Sequence, residues 1–284
     1  MLRPKNNKTK PRIKHRPFLK WAGGKFRLTD DLNRVFPKRK QCLIEPFVGE
    51  GAVFLNSHFE RYILADINPD LINLFNIVKE NVDAYIEACK PIFFAENANT
   101  ADYYYAQRDA FNQSTDPFVR SVLFLYLNRF GFNGLCRYNS KNEFNVPFGA
   151  YKTHYFPEDE LRYFAHKAQS AVFLCADFQQ TFELADKHSV IYCDPPYAPL
   201  AQDTNFTGYA GNAFGLEHQK NLAECAKKAQ KEKQISVVIS NHDTKFTREI
   251  YKGAKFKRVK VQRSISQSSE KRVKVKELIA IFKG

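Results

Sequence analysis

The stretch VIYCDPPYAPL, Val190–Leu200, decides the fold class. Its first four residues read as a buried strand, Asp194 stands where that strand ends, and Pro195 and Pro196 follow at once. Proline fixes φ and removes a backbone donor, so the pair stops the strand and stiffens the corner beyond it. In an open α/β sheet, ligands bind beyond the carboxyl ends of the strands. A carboxylate, a carbonyl and Tyr197 locked in one rigid turn at such an end is the arrangement of a site.

Working outward, other strands end the same way. RYILADIN (61–68) predicts a buried strand over Tyr62–Ala65 ending on Asp66, and AVFLCADF (171–178) a strand with Asp177 at its close. QCLIEPFVGEGAVFLN (41–56) predicts a strand over Cys42–Ile44, a glycine loop, and a helix opening near Ala52. Asn68-Pro69-Asp70 starts a helix running through Leu71, Leu74, Phe75 and Val78. PEDELRYFAHKAQS (157–170) sets Leu161, Phe164, Ala165 and Ala168 on one helical face. LEHQKNLAECAKKAQKEK (216–233) reads as a helix before the strand ISVVIS (235–240), and a strand pair near 256–264 and 273–282 closes the chain. Strands alternating with helices predict an α/β fold with a doubly wound, Rossmann-like sheet.

Between about 69 and 157 the character changes. The segment reads as mainly helical, with Asp116-Pro117 capping a buried helix over FVRSVLFLYL (118–127). The Gly- and Asn-rich run that follows, NRFGFNGLCRYNSKNEFNVPFGAY (128–151), predicts a β-hairpin with irregular loops. The expectation is an inserted domain over 69–157 dividing a main domain into 17–68 and 158–284, with residues 1–16 a disordered basic arm.

The chain has 284 residues, is 44% hydrophobic and carries a net charge of +14, enough for a full core and polarised toward a polyanion. Residues 1–40 hold fourteen Lys and Arg against two Asp, and residues 252–276 hold ten against one Glu, while the middle is net acidic. Two basic ends predict one positive face and a nucleic-acid partner. The N-terminus lacks the apolar core of a secretory signal, and no apolar run is long enough to span a membrane. Six cysteines are scattered with no C-x-x-C pair, which fits a reducing cytoplasm.

Gly49 and Gly51 let backbone approach a ligand closely, and Asp66, fifteen residues after Gly51, suits a ribose. Phe54 fills the third glycine position of the dinucleotide fingerprint, so a nucleoside without phosphates fits better than a dinucleotide. AGGK (22–25) lacks the spacing of a triphosphate loop. His58, His154, His188, His218 and His242 show no metal-ligand spacing, and Cys193 reads as a strand residue rather than a nucleophile. For chemistry on an exocyclic base amine, the nitrogen lone pair must be freed from the ring. Asp194 and the Pro195 carbonyl can each accept one amine hydrogen, and Tyr197 offers a face for the base. A base held there must leave its duplex stack.

These residues resemble a known family. FLKWAGGK (18–25), EPFVGEG (45–51) and DPPY (194–197), in that order with an insertion before the last, are similar to motifs of the S-adenosylmethionine-dependent N6-adenine DNA methyltransferases of the α group. LYLNRFGFNGLCRYNSKNEFNVPFGAYK (125–152) and SNHDT (240–244) resemble the Dam-type subgroup, which methylates adenine in GATC. The likeness extends from Phe18 to about Lys283. It implies S-adenosyl-L-methionine as cofactor, S-adenosylhomocysteine as product, no metal, and double-stranded DNA as partner. It implies a catalytic role for Asp194, Pro195, Pro196 and Tyr197. Cofactor contacts are implied for Trp21, Lys25, Glu45, Phe47, Gly49, Gly51, Asp66, Asp177 and Asp194, and contacts to the GATC bases for Lys20, Asn133, Leu135, Arg137, Pro147 and Tyr151. The further expectations are a monomer, in the cytoplasm, with no membrane association.

Overall fold

The computed structural model describes residues 13–198, 214–261 and 275–284. Seven strands form one sheet: β1 (Cys42–Glu45), β2 (Arg61–Asp66), β3 (Ala171–Cys175), β4 (Ser189–Cys193), β5 (Ser236–His242), β6 (Lys255–Val261) and β7 (Val275–Phe282). Their order is β3-β2-β1-β4-β5-β7-β6, parallel from β3 to β5, with β7 antiparallel to both neighbours. β1, β4 and β5 are buried along their whole length, as continuous apolar runs in a sheet covered on both faces should be. The edge strand β6 carries Lys255, Lys257 and Arg258, and such charge discourages pairing with another chain.

Ten helices lie among the described residues: α1 (Thr29–Val35), α2 (Ala52–Asn56), α3 (Pro69–Glu80), α4 (Val82–Phe93), α5 (Ala101–Gln113), α6 (Pro117–Phe130), α7 (Glu158–Ala168), α8 (Phe178–Glu183), α9 (Leu216–Lys233) and α10 (Lys245–Ile250). The expected caps form. Asn68 Oδ1 accepts the N–H groups of Asp70 and Leu71 at 3.0 and 3.2 Å, and Asp116 Oδ1 those of Phe118 and Val119 at 2.7 and 3.0 Å. Each such cap is worth about 1 kcal/mol.

Side chains of β4 alternate between two apolar clusters, because successive residues point to opposite faces. Val190 and Tyr192 join one, and Ile191 and Cys193 join the other under α9. The first cluster runs from Phe54 and Tyr62 through Phe75, Phe164 and Phe173 to Tyr85, Phe93, Phe124 and Tyr126. The mainly helical segment therefore shares its core with the sheet, and packing has no break at residue 69. The sheet's direction of growth reverses at β1, which pairs with β2 on one side and β4 on the other. In a doubly wound sheet a ligand binds at such a reversal, beyond the carboxyl ends of the strands, here β1 and β4.

The run 131–151 folds back on itself as an irregular hairpin, with two isolated antiparallel bridges, Gly131 with Phe148 and Tyr138 with Phe144, and backbone bonds from Phe132 to Pro147, Asn145 to Arg137 and Asn139 to Glu143. Side chains support its backbone as well. Tyr104 donates to the Val146 carbonyl at 3.0 Å, and Asn112 bonds both the N–H and the carbonyl of Phe144 at 2.8 and 3.1 Å. Positive φ at Asn133, Asn142 and Ala150 also breaks the extended geometry a ladder needs. One expectation is corrected: the basic arm is tied down before residue 17. His15 exchanges two 2.9 Å bonds between its backbone and the Asn56 amide, and its ring stacks on Tyr163 at 3.5 Å. Residues 1–12 of the arm and residues 262–274 of the second basic cluster lie outside the described residues.

Candidate active site

The loop after β1 is shaped by its glycines. Gly49 has φ +49°, and a Cβ there would sit 3.0 Å from Trp21 Nε1, so a side chain would strain the backbone and crowd the indole. Gly51 has φ +74° and precedes α2. Gly49→Ala is expected to cost about 1–2 kcal/mol, the penalty for an L-residue in left-handed geometry, measured as a lower denaturant midpoint. Asp66, at the end of β2, accepts the Gly49 N–H on Oδ2 at 3.2 Å and the Asn68 N–H on Oδ1 at 3.1 Å. Desolvation raises its pKa against these bonds. One carboxylate thus fixes the glycine loop to the second strand end.

Glu45 lies beneath this loop, 2% exposed. It receives the backbone N–H of Phe54 and so caps α2 from below, while burial and the nearby Asp194 push its pKa well up. Its Oε1 has no partner among the described residues. Phe47 stacks on Phe178 at 5.7 Å and meets Phe214 edge-on at 5.4 Å. Asp177 caps α8, accepting the Gln179 N–H at 2.8 Å, with Gln180 completing the capping box.

The proline corner follows β4 as the sequence implies. Asp194 Oδ2 pairs with Lys25 Nζ at 3.0 Å, and Lys25 Nζ also donates to the Gly23 carbonyl and lies 4.8 Å from the Tyr197 ring centre. Asp194 Oδ1 is buried and has no hydrogen-bond partner among the described residues. Burial raises the Asp194 pKa to about 6, opposed by Lys25 and Tyr197 and aided by the charge of Glu277. Glu50 joins the same group. Its carboxylate presses so closely on Gly24 that a Cβ there would lie 2.1 Å from Oε1, and burial lifts its pKa to about 8 against the pull of Lys25. Lys25 is therefore the buried cation serving Asp194 and Glu50 together.

Four residues with no expected role frame the corner from behind. Tyr197 donates its hydroxyl to Glu277 Oε2 on β7 at 3.1 Å, and its ring meets His242 edge-on at 4.9 Å. Gln219 Nε2 donates to the Pro196 carbonyl at 2.6 Å. Asn241 Oδ1 accepts the Ala198 N–H at 3.0 Å, and His242 Nδ1 bonds the Ala198 carbonyl at 2.6 Å. The signal available in sequence was SNHDT, a polar run at the end of an apolar strand; Gln219 and Glu277 carried none.

The residues expected to meet DNA bases gather on the loop 131–151. Lys20 Nζ donates to the Arg129 carbonyl at 2.6 Å and lies 3.8 Å from the Tyr151 ring centre. Burial and the adjacent Arg129 lower its pKa to about 8. The Asn133 N–H donates to the Tyr151 hydroxyl at 2.7 Å, at φ 54°. Pro147 is exposed and its carbonyl holds the Phe132 N–H, while Leu135 packs half-buried against the core. Arg137 is exposed and apart from the Lys20 group, bonded through Nε to Asn145 Oδ1 at 2.7 Å and through a terminal nitrogen to the Asn145 carbonyl at 3.1 Å. The loop is moored near the end of β2: Asn68 donates to Cys136 Sγ at 3.2 Å and Tyr138 to Asp70 Oδ2 at 2.7 Å.

Among the described residues no helix is long and apolar enough to cross a membrane, and no group of three His, Cys, Asp or Glu could hold a metal ion. Comparison with known proteins gives a family. The family model of the D12 class N6 adenine-specific DNA methyltransferases matches residues 21–265. The chain is similar to the DNA adenine methylase of Haemophilus influenzae, 83% identical over 282 residues covering 99% of both chains. It is also similar to the DNA adenine methylases of Escherichia coli K12, 58% identical over 270 residues, and Vibrio cholerae, 57% identical over 269, each match covering 95% of this chain and 96% of the relative.

Proposed function

The chain belongs to the D12 class of N6 adenine-specific DNA methyltransferases, and on that premise we propose that it methylates adenine within GATC in duplex DNA, from S-adenosyl-L-methionine, with the target base flipped out of the helix. That it is an adenine-specific DNA methyltransferase follows from the family. The donor, the site and the flipping are our reading. The observation that carries it is Asp194 Oδ1: a buried carboxylate oxygen with no partner among the described residues, at the carboxyl end of β4 beside Tyr197. A buried oxygen of this kind calls for an explanation, and a donor on the target base supplies one.

The residues fit the implied cofactor. Asp66 would hold ribose hydroxyls, the backbone at Gly49 and Gly51 would approach the nucleoside, and Trp21 and Lys25 would border its methionine part; Asp177 would stand toward its adenine. When bound, S-adenosylmethionine supplies an electrophilic methyl group on a sulfonium sulfur. The chain's own contribution is to the acceptor. Asp194 and the Pro195 carbonyl take one amine hydrogen each, which frees the N6 lone pair, and Tyr197 gives the base an aromatic surface. The Pro196 carbonyl is engaged by Gln219, so Pro195 supplies the second acceptor. Extruding the base costs roughly a few kcal/mol, which contacts in the pocket must offset. No general base is required, since the amine proton can pass to water after transfer.

Asn133, Leu135, Arg137, Pro147 and Tyr151, in a target-recognition segment over 69–157, are proposed to read the bases together with Lys20. The enzyme acts as a monomer in the cytoplasm on this reading. Its test is methylation of random-sequence duplexes with labelled donor, followed by mapping of the modified base: label in adenine of GATC supports it, and label elsewhere or none refutes it.

A pH dependence follows. The acceptor must be the carboxylate, and Asp194 takes up a proton as pH falls through about 6. kcat/KM is therefore expected to fall by about tenfold per pH unit below that point. Glu50→Gln should leave this acid limb in place; a limb that vanishes in that variant would belong to Glu50 instead.

A further inference from the structure

We propose that Gln219 and Asn241 are positioning residues for methyl transfer, fixing the carbonyl geometry of the proline corner from behind. This rests on the reading that Asp194 and Pro195 hold the target amine. The corner has an unusual problem of support. Prolines donate no backbone hydrogen bond, so residues 195 and 196 must be held through carbonyls or neighbours. Each proline ring sets φ, and the freedom that remains is largely ψ. The bonds from Gln219 Nε2 to the Pro196 carbonyl, 2.6 Å, and from the Ala198 N–H to Asn241 Oδ1, 3.0 Å, remove it on either side of Tyr197.

The two side chains form a relay of fixed polarity. Asn241 Oδ1 accepts the Ala198 N–H, so its Nδ2 faces inward and donates to Gln219 Oε1 at 2.9 Å and to the Tyr251 hydroxyl at 3.1 Å. Gln219 Oε1 is thereby engaged, and its Nε2 must point at the Pro196 carbonyl. Turning either amide over would break bonds at both of its ends. Both residues are buried, Gln219 at 1% exposure and Asn241 at 0%. Gln219 interrupts the otherwise apolar buried stripe of α9, formed by Leu222, Ala223, Ala226 and Ala229. A helix that needed only to pack on the sheet would place an apolar residue there, since a buried amide costs free energy unless every bond is made.

Two variants test this. Gln219→Met is close in volume and removes every bond that the Gln219 side chain makes. Gln219→Glu keeps the acceptor toward Asn241 and Tyr251 and loses only the donor to Pro196. Single-turnover methyl transfer at saturating S-adenosylmethionine and GATC duplex should fall about tenfold to a hundredfold in both, the penalty for a misplaced reacting group. Dissociation constants for donor and duplex should stay within about twofold, because on this reading the relay acts through the Pro196 carbonyl and not through contact with either ligand. A purely structural role would lower the melting temperature and leave the single-turnover rate unchanged, which overturns the inference. Should the buried carboxylate of Gln219→Glu prevent folding, Gln219→Met decides alone. Full turnover in Asp194→Ala would overturn the reading of the corner and this inference with it. An inactive Asp194→Ala beside a full-rate Gln219→Met overturns the inference only.

Discussion

Asp194→Ala is expected to lower single-turnover methyl transfer to a GATC duplex by on the order of a thousandfold while the protein stays folded. The loss is that of a preorganised charged acceptor in a shielded site, which is worth about 10²–10³ in rate where it has been removed from other enzymes. The fold should survive for a reason internal to the site. Lys25 pairs with Asp194 at 3.0 Å, and deleting one partner of a buried pair usually strands the other. Here Glu50 stands by. Its pKa is held at about 8 by burial and by the negative charge of Asp194, with Lys25 pulling the other way. Without Asp194 that smaller repulsion disappears and the Glu50 pKa moves down, toward the form that can pair with Lys25, while burial still holds it up. The sign of the stability change is also set. Asp194 has its folded pKa raised from 3.8 to about 6, so the native state holds a proton that the unfolded chain releases, and stability contributed by this group declines as pH rises from about 4 to 6. Above pH 6 the variant loses an ionised group whose desolvation opposed folding. Thermal unfolding at pH 5 and pH 7.5, beside tritiated methyl transfer, checks both halves. Near-normal transfer would remove Asp194 from the chemistry.

Arg137→Ala is expected to relax sequence preference at one base pair by about tenfold to a hundredfold, the energy of one bidentate contact to guanine. The guanidinium has five N–H donors, and Asn145 engages it at Nε and at one terminal nitrogen, which orients the fork and leaves donors for a base edge. The side chain is exposed at the loop surface, so it can meet DNA without rearranging the core. The measurement is kcat/KM on duplexes carrying each single substitution in GATC. A loss spread evenly over all duplexes would assign Arg137 to phosphate instead.

Much of this was legible in the chain because the signals are local. Continuous apolar runs marked β1 and β4, Asn68 and Asp116 announced their helices, and two consecutive prolines fixed the corner. What stayed hidden depends on contacts between distant residues. Nothing near His15 in sequence says that it will stack on Tyr163. Gln219 and Asn241 look like surface residues of a helix and a strand end until the sheet brings them together at 2.9 Å. Glu50 is plain in EPFVGEG, yet its role beside Lys25 needs the chain from 21 to 25 to fold across the glycine loop. The run 131–151 reads as a hairpin because Gly and Asn favour turns; that side chains on α5 also hold its backbone is something composition cannot show.

That last feature limits how such an enzyme can be re-engineered. A segment whose backbone leans on Tyr104 and Asn112, and against whose Gly134 the Lys20 side chain is wedged, cannot be transplanted as a bare loop. A chimera meant to recognise a new word in DNA would have to import the helix beneath and the N-terminal lysine as well, or the graft would arrive without its scaffolding and collapse.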